Sequence, residues 1–191
     1  VSRKQLLTEP DFNIDRFCLP PATYEQEKHK IEHRLPAAER FVAENKLNEV
    51  FEGDLSDVGI ITMGGLYNGV VRALERVGLS DIYGACRIPI YVMNVTYPMV
   101  TKEIQDFCAN KKSVLVVEEG YPDFIEQAIN VALRKADLQT TVFGKGMLPK
   151  VGEYTADIVL DGIEQFLKTV AFDALEGTVP VHVAQGVEAL K

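Results

Sequence analysis

Two adjacent carboxylates, Glu118 and Glu119, directly follow the apolar run from Ser113 to Val117. Paired carboxylates can act as general acid and base when both reach one bond, and the carboxyl ends of buried strands are where open α/β sheets place ligands. Alternation along an extended strand points neighbouring side chains to opposite faces, so these two are not a pair acting on one bond. A structural or interface role, with one carboxylate taking a backbone or arginine partner, accounts for them better than a catalytic one. His29 and His33 stand four residues apart, the spacing that lets two imidazoles on one helix share a metal. No third ligand accompanies them, and Lys28, Lys30 and Arg34 make the surroundings electropositive, so a solvated face is the simpler reading. His182 is isolated, and no serine or cysteine triad assembles around it.

Glycines at the ends of two apolar runs could also do chemistry, by letting a ligand approach the backbone. Met63-Gly64-Gly65 closes one apolar run and opens an amphipathic segment that continues through Asn68-Gly69, the place where nucleotide-binding folds rest a phosphate on helix amides. The dinucleotide fingerprint fails at Leu66, where its middle glycine belongs. It fails again at Met93-Asn94-Val95, which brings no acidic residue to a ribose. A tight turn from strand to helix is expected instead. Phe143-Gly144-Lys145-Gly146 offers Gly-Lys, but glycine follows the lysine where a P-loop needs Ser or Thr, and Gln139 occupies the place of the first P-loop glycine. Cys18, Cys86 and Cys108 are far apart and form no Cys-x-x-Cys, so they spell neither a zinc knuckle nor an iron-sulfur site and read as buried thiols.

The elements that must carry these residues are legible. Four short apolar runs, Val58 to Met63, Ile90 to Val95, Ser113 to Glu118 and Thr140 to Phe143, alternate with amphipathic stretches. Their near-continuous apolar character is what burial on both faces of a mostly parallel sheet requires. Val70, Ala73, Leu74 and Val77 share one helical stripe, and Gly78 is placed to end that helix in a left-handed turn. A second helix is expected from Thr101, a natural N-cap, to Asn110. A third runs from Pro122 to Lys135, with Arg134 and Lys135 complementing the negative end of its dipole, and a last one from Thr155 to about Thr169. Ahead of this core, Thr23 and Gln26 suggest a capping box on an arm helix that Pro36 should kink or interrupt. The stretch after Phe172 has no sustained period and reads as linker.

Composition bounds the function. A chain of 191 residues fits one domain with appendages at its ends, and 47% hydrophobic residues can form a sizeable core. The net charge of -8 and the lack of a basic stripe argue against nucleic acid. No apolar stretch is long enough to span a bilayer and no signal-peptide pattern opens the chain, so a cytoplasmic location without a membrane partner is expected. The first residue is Val1 rather than Met, which suggests a processed or excised chain.

One ordered set of motifs carries a resemblance: Val58-Gly59-Ile60-Ile61-Thr62-Met63-Gly64, Tyr97-Pro98, Val114-Leu115-Val116-Val117-Glu118-Glu119, Phe143-Gly144-Lys145 and Gly152-Glu153. In that order and spacing, and with Lys28-His29, Arg34 and Asn48 ahead of the first strand, the chain from Phe17 to Phe172 resembles part of the alpha subunit of the thiamine-dependent indolepyruvate:ferredoxin oxidoreductases. The resemblance implies a doubly wound, three-layer αβα fold like the transketolase C-terminal domain, with an N-terminal helical arm. It implies an arm and connector over 1–52, the α/β domain over 53–172 and a C-terminal linker over 173–191. The implied parent enzyme oxidatively decarboxylates aryl 2-oxo acids to acyl-CoA with thiamine diphosphate, magnesium and iron-sulfur clusters, and passes electrons to ferredoxin. Its implied partners are the neighbouring pyrimidine- and diphosphate-binding domains, a second subunit and a second copy.

This chain lacks the Gly-Asp-Gly that would hold magnesium diphosphate, since Asp161-Gly162 has no preceding glycine, and it lacks a cysteine array. The expectation is therefore a non-catalytic interface domain with no catalytic, cofactor or metal residue of its own. Its candidate contact residues are Tyr97, Pro98, Glu118, Glu119, Tyr121 and Lys145. Two other classes compete with this one. The first is a stand-alone flavodoxin-like module taking a small anionic ligand at the Gly64 turn. The second, an independent hydrolase or transferase, is disfavoured because no nucleophile sits beside a base.

Overall fold

The computed structural model of the chain describes residues 19–174, with the side chains of 171–174 excepted. Cys18, His182 and most of the segment read as linker lie outside the described residues. The chain divides into two compact units between Phe41 and Val42.

In the first unit, α1 (Ala22–His29) passes through a π-helical turn (Lys30–Arg34) into the start of α2 (Leu35–Glu44). The expected capping box is not formed: Pro21 takes the N-cap position without a side-chain bond, which leaves Thr23 inside the first turn. Pro36 does not break the helix. Its ring removes a donor and crowds the carbonyl four residues back, and the wider turn just ahead of it absorbs that conflict. His29, the last residue of α1, and His33, on this turn, have ring centroids 5.1 Å apart, and both are exposed. Neither α1 nor the turn contains a buried residue.

The second unit is built on a five-stranded sheet in the order β1-β3-β2-β4-β5. Its strands are β1 (Glu49–Phe51), β2 (Val58–Met63), β3 (Ile90–Met93), β4 (Ser113–Val117) and β5 (Thr141–Phe143). Strands β2 to β5 are parallel, and β1 runs antiparallel along the outer edge of β3. The sequence reading lacked β1, because three residues with one partly buried carry no apolar run. Pairing with β3, not local pattern, makes that segment a strand.

Helices cover both faces. They are α3 (Tyr67–Arg76), α4 (Thr101–Cys108), α5 (Phe124–Lys135) and α6 (Ala156–Ala174). Val70, Ala73 and Leu74 of α3 with Val159, Ile163 and Phe166 of α6 pack on Ile60, Ile90, Val92, Leu115 and Val117. Ile104, Phe107 and Cys108 of α4 with Ile129 and Leu133 of α5 pack on Ile61, Tyr91, Met93, Val114 and Val116. Consecutive strand residues thus serve opposite cores, which is why the strands read apolar throughout. The doubly wound three-layer architecture is as expected from the sequence.

Two helices begin at residues other than those the side-chain chemistry suggests. Thr101 is the first helical residue and Val100 the N-cap, without a side-chain bond. The third core helix begins at Phe124 rather than Pro122, for a reason found in the site itself. Gly78 takes φ +74° after α3, as its position demanded. Among the described residues no helix is long and apolar enough to cross a membrane.

Candidate functional site

The carboxyl ends of β4 and β5 bring together a cluster of bonded polar side chains. Glu118 follows β4 directly and is buried at 6% exposure. Its two carboxylate oxygens accept the backbone N–H groups of Ile125 (3.0 Å) and Glu126 (3.1 Å) at the start of α5. Those groups have no partner within the helix, and a carboxylate there also complements the positive end of the helix dipole. The cap of α5 therefore comes from the preceding strand, which lets the helix start at Phe124 without a capping side chain at Asp123. Glu119, exposed, points elsewhere and accepts the Tyr154 N–H. The two carboxylates have separate partners, as strand alternation required.

Lys145 follows β5 and is buried at 9% exposure. Its Nζ donates to the main-chain carbonyl of Glu118 and to the Tyr154 hydroxyl at 2.8 Å, and the Tyr154 hydroxyl donates in turn to the Pro149 carbonyl at 2.7 Å. The Lys145 N–H donates to Glu126 Oε2 at 2.9 Å. Gly144 permits this: a Cβ there would stand 2.1 Å from Glu126 Oε2, so only glycine lets that carboxylate reach the turn. Burial holds the Lys145 ammonium below the usual lysine range, opposed by Glu118, Glu126, Asp123 and Glu119. Burial, reinforced by Glu118, Glu119 and Glu126, pushes the Tyr154 phenol up to about 12. The result is an acid-rich cluster whose lysine and phenol donate into the chain's own carbonyls. No nucleophile beside a free base appears in it.

The predicted contact residues separate into two groups. Tyr97 (73% exposed), Tyr121 (64% exposed), Pro98 and Glu119 present surface, and Lys150 Nζ stands 5.7 Å from the Tyr121 ring. Glu118 and Lys145 do not, because each is covered by this chain and engaged within it. Any contact on this edge therefore belongs to the first group. Sequence reasoning missed Tyr154 and Glu126. Neither has a local signal: the loop between β5 and α6 brings Tyr154 to Lys145, and the start of α5 brings Glu126.

The Gly64 turn closes differently. Gly64–Leu66 forms a 3-10 turn ahead of α3, and a Cβ on Gly64 would meet Asn94 Oδ1 at 2.4 Å. The close approach that this glycine permits is used by Asn94, whose Nδ2 donates to the Leu47 carbonyl (2.9 Å) and to Glu49 Oε2 (3.0 Å). A carboxylate beside the turn disfavours an anion there. Asn48 is buried between Glu103 and the Val95 N–H, where it ties β1 to the end of β3.

The resemblance implies magnesium diphosphate and iron-sulfur clusters, and the donors present decide whether this chain could hold either. Asp161-Gly162 lies within α6, where the backbone N–H groups are used by the helix. A Cβ on Gly162 would stand 2.3 Å from Leu148 Cδ2, so this glycine serves helix packing rather than a diphosphate. Cys86 and Cys108 belong to different cores on opposite faces of the sheet. Burial raises both thiols, Cys108 to about 12, whereas a cluster needs grouped thiolates. Among the described residues no group of three His, Cys, Asp or Glu could hold a metal. These residues fit neither magnesium diphosphate nor an iron-sulfur cluster.

Comparison with known proteins gives this geometry a context. The chain is 33% identical over 152 residues to indolepyruvate oxidoreductase subunit IorA of Methanothermobacter thermautotrophicus, covering 78% of this chain and 23% of that protein. It is 32% identical over 161 residues to the subunit of the same name from Archaeoglobus fulgidus, covering 83% of this chain and 24% of that protein. The chain thus spans about a quarter of the length of these curated relatives. A solved 2-oxoglutarate:ferredoxin oxidoreductase from Magnetococcus marinus is similar at 20% identity and a TM-score of 0.46, over 78% of this chain and 24% of that one. The family model for the indolepyruvate oxidoreductase domain matches residues 48–186, which take in the whole sheet and the cluster at its carboxyl edge. The resemblance read from the ordered motifs is borne out, and the chain belongs to the indolepyruvate oxidoreductase domain family.

Proposed function

We propose that this chain is a non-catalytic interface domain of a larger, cytoplasmic, thiamine-diphosphate-dependent 2-oxo acid:ferredoxin oxidoreductase acting on indolepyruvate and related aryl 2-oxo acids. In this reading 53–172 is the α/β domain, 1–52 an arm and connector, and 173–191 a linker. Thiamine diphosphate with magnesium and the iron-sulfur clusters are held by other parts of the parent enzyme, where they supply the decarboxylation and electron-transfer chemistry. This domain keeps its neighbours at fixed separation, so that a site formed elsewhere stays ordered. One observation carries the reading: the carboxyl edge, where an open α/β sheet would place its ligand, has its lysine, phenol and carboxylates bonded to the chain's own backbone.

The test is reconstitution. The chain alone is assayed for CoA-dependent reduction of a viologen dye by indolepyruvate, then again with the remaining polypeptides of the oxidoreductase supplied. Inactivity alone and co-purification with the remainder are expected. Turnover by the isolated chain, or stoichiometric heat on titration with thiamine diphosphate, would overturn the proposal. Titration with nucleotides and acyl-CoA tests the competing anion-binding module, which Glu49 beside the Gly64 turn disfavours.

A further inference from the structure

We infer that Lys145 is the pin of an internal clasp that makes the 119–124 turn and the 144–155 loop one preformed docking face for another domain of the parent oxidoreductase chain. The geometry is specific. Lys145 Nζ reaches back to the main chain where β4 ends and forward to the Tyr154 hydroxyl, nine residues on. Tyr154 closes the loop in two ways: its hydroxyl donates to the Pro149 carbonyl, and its N–H donates to the Glu119 carboxylate. Glu126, at the start of α5, takes the Lys145 N–H. Three of these bonds, from the Lys145 ammonium, the Lys145 N–H and the Tyr154 N–H, cross between two loops that share no strand pairing, and the other two brace the 144–155 loop from within.

What the clasp holds in place is apolar and exposed. Tyr121, Phe124 and Val151 are 64%, 67% and 78% exposed, and Lys150 stands by the Tyr121 ring, which brings the two loops' tips together. Aromatic side chains on a rigid frame dock at low conformational cost, since little freedom remains to be lost on binding. The occupant is another domain of the same parent enzyme, whose curated relatives are about four times the length that this chain matches. The clasp stands on the structure alone, and the identity of its occupant rests on the interface reading above.

Hydrogen-deuterium exchange on the full chain tests the clasp with Lys145→Met, Lys145→Arg and Tyr154→Phe. The expected result for Lys145→Met is about tenfold faster exchange confined to peptides within 119–126 and 144–155, with β2, β3 and α4 unchanged. Tyr154→Phe, which keeps the ring, should reproduce part of that effect, and Lys145→Arg should restore protection. Uniform acceleration over the whole second unit, or none, would overturn the clasp. The docking face is tested by Tyr121→Ser with Val151→Ser in co-purification with the rest of the oxidoreductase. Loss of binding with unchanged exchange elsewhere is expected, and undiminished binding would overturn the face. Failure of the unaltered chain to co-purify would overturn the interface reading and the face together, while the exchange result still decides the clasp.

Discussion

Replacing Glu118 tests whether a strand residue caps the helix that follows it. Its carboxylate accepts two α5 N–H groups, at 3.0 and 3.1 Å, in a site only 6% exposed. A hydrogen bond to a charged acceptor is worth about 1.5–3 kcal/mol net, and loss of a helix cap alone costs about 0.5–2 kcal/mol. Glu118→Ala leaves both donors without an acceptor, and we expect a loss near 3 kcal/mol. Glu118→Gln keeps a carbonyl for one donor while its amide faces the other, for a loss of about 1–2 kcal/mol. Removing one charge from the neighbourhood of Glu119, Asp123 and Glu126 relieves repulsion by only a few tenths of a kcal/mol, so the cap dominates. Urea unfolding followed by far-UV circular dichroism measures all three proteins, and the denaturant slope should stay constant. If both variants fall within about 0.5 kcal/mol of the parent chain, the capping argument is wrong.

Four further outcomes follow from the packing and the titratable groups. Phe166 is fully buried in the α3/α6 core and meets Phe143 edge-on at 5.7 Å, so Phe166→Ala should cost about 3–5 kcal/mol in the same urea assay. In a Cys18→Ser background at pH 8, Ellman's reagent should label half-buried Cys86 slowly and Cys108 only after unfolding, because burial removes access and raises the Cys108 thiol to about 12. Above pH 10 the unfolded chain ionises a tyrosine that the folded chain keeps protonated to about 12. Tyr154 therefore makes stability fall between those values, and Tyr154→Phe should remove that part of the slope. Lys145 acts in the opposite sense. Its folded pKa lies below 10.5, so its contribution is lost as pH falls through the folded value, and Lys145→Met should flatten the rise in stability toward pH 10.5.

The parts of the fold that the sequence disclosed are those set by burial alone. The two-faced strands and the stripe of Val70, Ala73, Leu74 and Val77 follow from which residues water excludes, and that information is local. Strand β1 and the start of α5 were not legible, because their determinants lie far along the chain: β1 needs the edge of β3, and α5 needs the carboxylate of Glu118. The same holds for the site. Glu118 and Lys145 stood out by residue type and strand position, yet their meaning changed once Tyr154 and Glu126 were seen to enclose them. Thr23 and Thr101 show the converse. Each has the chemistry of a cap, but the helices take their N-caps two residues ahead of Thr23, at Pro21, and one residue ahead of Thr101, at Val100.

A strand that is apolar on both faces has nothing in its alternation to count by. Sliding β4 one place along β2 would exchange Val114 and Val116 for Leu115 and Val117 between the two cores, at little hydrophobic cost. Its ends do the counting instead. After such a slip, the carboxylate of Glu118 would miss the amides of α5 and the lysine ammonium would lose its carbonyl, so the polar terminus works as an index mark for the whole sheet.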